Sequence, residues 1–182
     1  MEQIKILFFV IGTFFGVEQS RIVAEKTTVT VNPASKTITV LQENLMGIIQ
    51  AESDSLEIQK ELKQLISPNQ PWSAEFENYT KKEKLFFSSE DDHTLNSTLT
   101  LTYSDAKDLK VFGIEVNKEG LFSMTNFPKS HIKSTDGTLG ERYWTFKADQ
   151  PFSFTEAPLT DMPEAYEKLL KGLLPFWKAL KP

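Results

Sequence analysis

Apolar and polar positions alternate most cleanly over residues 95–103. Leu95, Leu99, Leu101 and Tyr103 share one parity with only the small Ser97 among them, while Asn96, Thr98, Thr100 and Thr102 hold the other. Period-2 spacing in β-branched and aromatic company predicts a strand with one buried and one wet face. Residues 27–31 and 36–41 alternate in the same way around the turn-forming Asn32-Pro33-Ala34-Ser35, which predicts a hairpin. Shorter strands are expected over residues 84–88, 111–116, 121–126, 142–146 and 152–155, with Ile132 in another. Glu90 to His93, Asn117 to Gly120 and Ala148 to Pro151 supply loops between them.

Two stretches carry helical spacing instead. Leu56, Ile58, Leu62, Leu65 and Ile66 make a stripe opposite Glu57, Lys60, Glu61 and Lys63, with Ser53 or Asp54 available as cap and Pro68 as the stop. Near the C-terminus, Thr160, Pro163 and Glu164 resemble a helix start. Tyr166, Leu169, Leu170, Leu173, Leu174, Trp177 and Leu180 then recur at helical intervals, with a kink expected at Pro175. Residues 41–49 fit either a helix or a strand continued through a bulge at Gly47. The expected fold is therefore α+β: a twisted antiparallel meander of six to eight strands, packed against a helix near Asp54 to Ile66 and a C-terminal helix that closes the sheet as a lid. Both Trp144 and Trp177 are expected between sheet and lid.

The N-terminus adds a question of boundary. Ile6 to Val17 is free of charged and amide side chains, a length suited to the apolar core of a secretory signal and short of the roughly 20 residues that span a bilayer. On that reading residues 1–24 are a signal peptide cleaved near Ser20 or Ala24, and residues 25–182 are a single domain. Glu2 beside Lys5 and the lack of a small-x-small site speak against it. The alternative is a buried first segment bent at Gly12 and Gly16.

Composition narrows the partners. A chain of 182 residues with 40% hydrophobic and 25% charged positions suits one globular domain. Its net charge of −5 offers no basic footprint, so nucleic acid is not an expected partner. The absence of cysteine removes disulfides, thiolate metal sites and thiol nucleophiles.

Candidate chemistry is sparse. Asp91, Asp92 and His93, beside Glu90, are the one local concentration of possible metal ligands, and carboxylates suit a hard cation. A hairpin tip is also where charge belongs for solubility alone. His93 and His131 are the only histidines, and no G-x-S-x-G or H-E-x-x-H pattern accompanies them. Asn78 and Asn96 begin N-x-[ST] glycan acceptor patterns. The 14 phenylalanines weigh more: Phe112, Phe122, Trp144, Phe146 and Trp177 are the candidates to line an aromatic groove under the lid, with a filled core as the competing reading.

Taken together, the expectation is an exported, non-enzymatic binding or accessory protein of the cell envelope or extracellular space, secreted or periplasmic. It would have no cofactor and no stable membrane span, and would hold an apolar ligand or a protein partner. Two alternatives stand beside it. One is a hydrolase drawing on Asp91, Asp92, His93 and His131; the other is an intracellular, cytoplasmic interaction module with the N-terminal run folded in.

Overall fold

The computed structural model describes residues 7–180. In chain order its strands are β1 (Ile22–Asn32), β2 (Thr37–Ile48), β3 (Lys81–Ser88), β4 (Leu95–Thr102), β5 (Ile114–Val116), β6 (Phe122–Thr125), β7 (Thr138–Leu139), β8 (Tyr143–Phe146), β9 (Phe152–Glu156) and β10 (Leu170–Gly172). Its α-helices are α1 (Glu52–Ile66), α2 (Glu164–Glu167) and α3 (Leu174–Leu180). All pairings are antiparallel, so the α+β class holds, with a six-stranded main sheet as expected.

The strand order is not that of one meander. The main sheet runs β3-β4-β2-β1-β9, with β10 also on β2, and a separate four-stranded sheet runs β5-β6-β8-β7. The division falls after β4. Its buried Leu95, Ser97, Leu99 and Leu101 follow the alternation of the sequence. The chain then enters a 3-10 helix at Ala106–Phe112, whose start is capped by the Asp105 side chain and whose end is Gly113 at φ 71°. That left-handed residue, natural for glycine, turns the chain off the main sheet into the small one.

Residues 41–48 continue β2 as strand. Its irregularity sits at Asn44 (φ 53°) rather than at Gly47, and asparagine tolerates that conformation because its side chain bonds locally. Asn44 accordingly donates its backbone N–H to Asn96 Oδ1 at 2.9 Å and its amide to Glu25 Oε2 at 2.6 Å. The buried parity shifts here in both strands, from Gln42 to Leu45 in β2 and from Ala24 to Thr27 in β1. Gly47 is needed for another reason: a Cβ there would stand 2.5 Å from Ile58 Cδ1 of α1.

α1 buries Ile58, Leu62 and Leu65, while Leu56, placed in the apolar stripe by sequence, is 62% exposed. Asp54 stands in the first turn rather than at the cap and accepts the N–H groups of Gln50 and Ala51, each at 3.0 Å. Those two amides, then Arg21, hold its carboxyl below the usual range.

The expected C-terminal helix is replaced by α2, β10 and α3. β4 pairs with β2 only over Thr37 to Gln42, so beyond Asn44 that edge of β2 is open, and Leu170 to Gly172 fills it opposite Ile48 to Met46. Unmade backbone hydrogen bonds at a sheet edge outweigh a helical side-chain period over so short a stretch. Pro175 then falls in the first turn of α3, where its missing N–H costs nothing. α3 packs against α1, and Trp177 is half-buried beside Ile66 and Trp72. Trp144 sits in the small sheet, so the two tryptophans do not share a lid.

The N-terminal run packs into the core through four of its side chains. Phe8, Ile11, Phe14 and Phe15 are at most 4% exposed, a 3-10 helix spans Ile11–Phe15, and Gly16 ends it at φ 69°. Phe8 stacks on Phe112 (5.5 Å between ring centroids) and meets Phe154 edge-on (5.6 Å); Phe14 packs on Phe76 and Phe112. Phe154 continues through Phe146 to Trp144, so a chain of rings runs from the small sheet through Phe8 and Phe14 to Trp72 and Phe15 near α1. Cleavage near Ser20 or Ala24 would remove the middle of that chain.

We expect Phe14→Ala to lower the unfolding free energy by about 3–5 kcal/mol, and Leu56→Ala to change it by no more than about 0.5 kcal/mol, both read from urea denaturation. A chain beginning at Glu25 is expected to show no cooperative transition, and a normal transition from it would show that the domain does not need the N-terminal run.

Candidate functional site

The buried polar and charged side chains of the described residues are Thr27, Gln42, Ser97 and Glu156, and they form a single row. In the strand register Ser97 lies opposite Gln42, Gln42 opposite Thr27, and Thr27 opposite Glu156, so the row crosses β4, β2, β1 and β9. Three members are tied together. Ser97 Oγ donates to Gln42 Oε1 (3.0 Å), Gln42 Nε2 donates to the carbonyl of Phe8 (2.5 Å), and Thr27 Oγ1 donates to the same carbonyl (3.3 Å). A backbone carbonyl has two lone pairs, so one peptide group from the N-terminal run satisfies both donors.

Glu156 ends the row differently. It is 5% exposed, and its Oε2 has no hydrogen-bond partner among the described residues. Burial pushes its carboxyl up to about 7, and a hydrogen bond from the Ser130 side chain offsets part of that rise. Ser130 is held there by its own backbone, whose carbonyl accepts Ala157 N–H at 2.9 Å, while Lys133 and Thr155 exchange backbone bonds at 3.0 and 2.8 Å along the outer edge of β9.

Beside Glu156 lies a pocket of about 710 Å³, within the range of roughly 300–1,000 Å³ usual for small-molecule sites. Leu7, Phe8 and Phe9 form one wall, Met124, Val116 and Tyr143 of the small sheet another, and Phe127, Ser130 and Ile132 a third. Lys110 and Glu115 also line it, paired with each other at 3.4 Å. The pocket is thus largely apolar, with one buried carboxyl that no described residue pairs with a counter-charge.

A second hollow of about 510 Å³ is lined by Ile66, Trp72, Lys82, Lys84, Phe86 and Trp177. Both lysines are already employed: Lys82 Nζ donates to the Phe76 carbonyl at 3.1 Å, and Lys84 Nζ donates to the carbonyls of Leu65 and Ser67 at 2.7 and 2.6 Å and lies 4.7 Å from the Phe15 ring centroid. Lys84 closes the C-terminal end of α1, and burial lowers its pKa.

The residues singled out by sequence are placed as follows. Phe112, Phe122, Trp144 and Phe146 are buried in the ring chain or beside Phe152, and Trp177 lines the second hollow, so the five do not face one groove. Asp91, Asp92 and His93 are exposed on the β3–β4 loop. Ser89 donates to Asp91 (2.5 Å), and Asp92 pairs with Lys178 of α3. No group of three or more His, Asp or Glu side chains is arranged to hold a metal among the described residues. His131, at φ 51°, approaches Asp161 to 2.7 Å beyond the β9 edge, while His93 lies near the opposite edge, so the two do not converge. No helix of the described residues is long and apolar enough to cross a membrane.

Glu156, Gln42 and Thr27 were not singled out by sequence, although a signal was present. Each is one period-2 step beyond an apolar strand residue: Glu156 after Phe154, Gln42 after Val40, Thr27 before Val29. No protein-family model, no curated protein and no solved structure matches the chain.

A carboxyl raised from 4.5 to about 7 on folding makes the folded state bind its proton more tightly than the unfolded chain, so stability falls as pH rises between those values. At ~1.4 kcal/mol per tenfold difference in proton affinity, the loss is about 3 kcal/mol. We expect Glu156→Gln to be more stable than the unaltered protein at pH 8 and to lose that advantage at pH 4.5, read from urea unfolding at both pH values.

Proposed function

We propose that the protein is a non-enzymatic binding protein, and that its ligand is a largely apolar small molecule held between the N-terminal run and the small sheet. The observation that carries this reading is the 710 Å³ pocket with the buried, partly unsatisfied Glu156 in its lining. Apolar walls supply affinity by removing ligand surface from water, and one convergent polar group fixes orientation. The separation of His93 from His131, which lie near opposite edges of the main sheet, supports binding over hydrolysis.

Three wall residues come from the N-terminal run, so the site works with that run in place. This supports the alternative in which the run stays with the domain, the setting of an intracellular module. An exported or cell-envelope form of the same binding protein would retain the run.

Titration with Nile red, a neutral apolar dye, tests the pocket. The dye is expected to bind at one site with blue-shifted emission, and Ser123→Trp, which places a ring in the pocket lining, should weaken binding at least tenfold with the fold intact by circular dichroism. Unaltered binding in that variant would remove the pocket from consideration.

A further inference from the structure

The chemistry of the pocket also identifies the polar end of its ligand. We propose that the pocket accepts an amphipathic ammonium compound, whose cationic head pairs with the Glu156 carboxyl and whose aliphatic tail lies against Phe8, Met124 and Ile132. The inference rests on the pocket-binding reading above and extends it to a ligand class.

Charge bookkeeping around the pocket supports this. Among its lining residues the ionisable groups are Lys110, Glu115, Tyr143 and Glu156. Lys110 is paired with Glu115 at 3.4 Å. From β1, Lys26 is held by Glu43 of β2 at 2.7 Å, and Glu25 takes the Asn44 amide at 2.6 Å. From the segment along β9, His131 lies against Asp161 at 2.7 Å, and Lys133 is exposed. Among the described residues Glu156 is the buried acid without a counter-charge, and its Oε2 has no donor from them.

A buried acceptor without a donor is unfavourable, and an ionised one more so. Three ligand heads differ in what they do about it. A carboxylate places a second negative charge beside Glu156 and is rejected. An alcohol donates one neutral hydrogen bond. An ammonium donates a charge-assisted bond and balances the carboxylate in a site that water reaches poorly, which strengthens both terms. The row itself adds direction: Ser97 and Thr27 spend their hydroxyl protons on Gln42 Oε1 and the Phe8 carbonyl, so Thr27, the member opposite Glu156, has no donor left to turn toward it.

Binding an ammonium requires the ionised carboxylate. With Glu156 near 7 in the free protein, affinity for an amine rises with pH until the site is fully ionised, while the amine keeps its own charge up to about pH 10. A neutral head that accepts from a protonated Glu156 would show the opposite slope.

The test is displacement of Nile red by decylamine, 1-decanol and decanoate, all below their aggregation concentrations, at pH 5.5 and pH 8. At pH 8 decylamine is expected to displace the dye at a concentration at least tenfold below that of 1-decanol, with decanoate weakest. Its affinity should fall about tenfold or more at pH 5.5, where most of Glu156 is protonated. In Glu156→Gln, decylamine and 1-decanol should become equal and the pH dependence of decylamine should vanish. Equal displacement by the three in the unaltered protein overturns the ammonium assignment and leaves the pocket standing. An amine preference that survives in Glu156→Gln also overturns it. Should the dye not bind, or none of the three displace it, both the pocket reading and this assignment fall.

Discussion

One peptide carbonyl, that of Phe8, makes the polar interior of this protein tenable. Ser97, Gln42 and Thr27 stand in register across β4, β2 and β1, facing a core otherwise built of Phe, Leu, Ile and Val. Unsatisfied, such groups would cost about 1–3 kcal/mol each. Linked to one another and closed on a carbonyl that accepts twice, they become a directional lock. The lock fixes where the N-terminal run crosses the sheet, because a shift of one residue would replace the carbonyl with an N–H or a side chain. The Phe8 ring is thereby set between Phe112 and Phe154, and Phe14 on Phe76. Hydrogen bonds choose the place, and ring burial provides most of the energy.

The same row explains why a functional site lies where it does. Its fourth member, Glu156, sits at the end of β9, and among the described residues no hydrogen bond joins its side chain to the Phe8 carbonyl. Strand β9 delivers Phe152 and Phe154 to the core and Glu156 to the margin where the N-terminal run and the small sheet diverge. The 3-10 helix that sends the chain off the main sheet after β4 creates that divergence, and Gly113, which ends it, lines the pocket. Architecture and site share one cause: the polypeptide leaves the main sheet halfway along and returns to it only with β9.

Much of this was legible residue by residue. The alternation in β1, β2 and β4, the stripe Ile58, Leu62 and Leu65, and the turns around Pro33 and Gly120 all follow from local periodicity and turn chemistry. Three features were not. The C-terminal leucines carry a helical period, yet β10 interrupts it because β2 offers an open edge that exists only after the sheet is assembled. Leu56 belongs to an apolar stripe in projection and faces water in fact. Aromatic positions that looked like groove lining are core, since rings from the N-terminal run fill the space between them.

By itself the sequence determined the α+β class, the alternation of residues 27–31, 36–41 and 95–102, the buried stripe Ile58, Leu62 and Leu65 and the absence of cysteine chemistry, because these depend on side chains a few residues apart. Strand order, the division into two sheets and the packing of the N-terminal run into the core were decided by tertiary structure alone. So was the site. Glu156, Thr27, Gln42 and Ser97 are scattered over more than a hundred positions of chain, and nothing local marks them as neighbours. Only the register of four strands aligns them, and only the crossing of the N-terminal run satisfies three and leaves the fourth with an open oxygen.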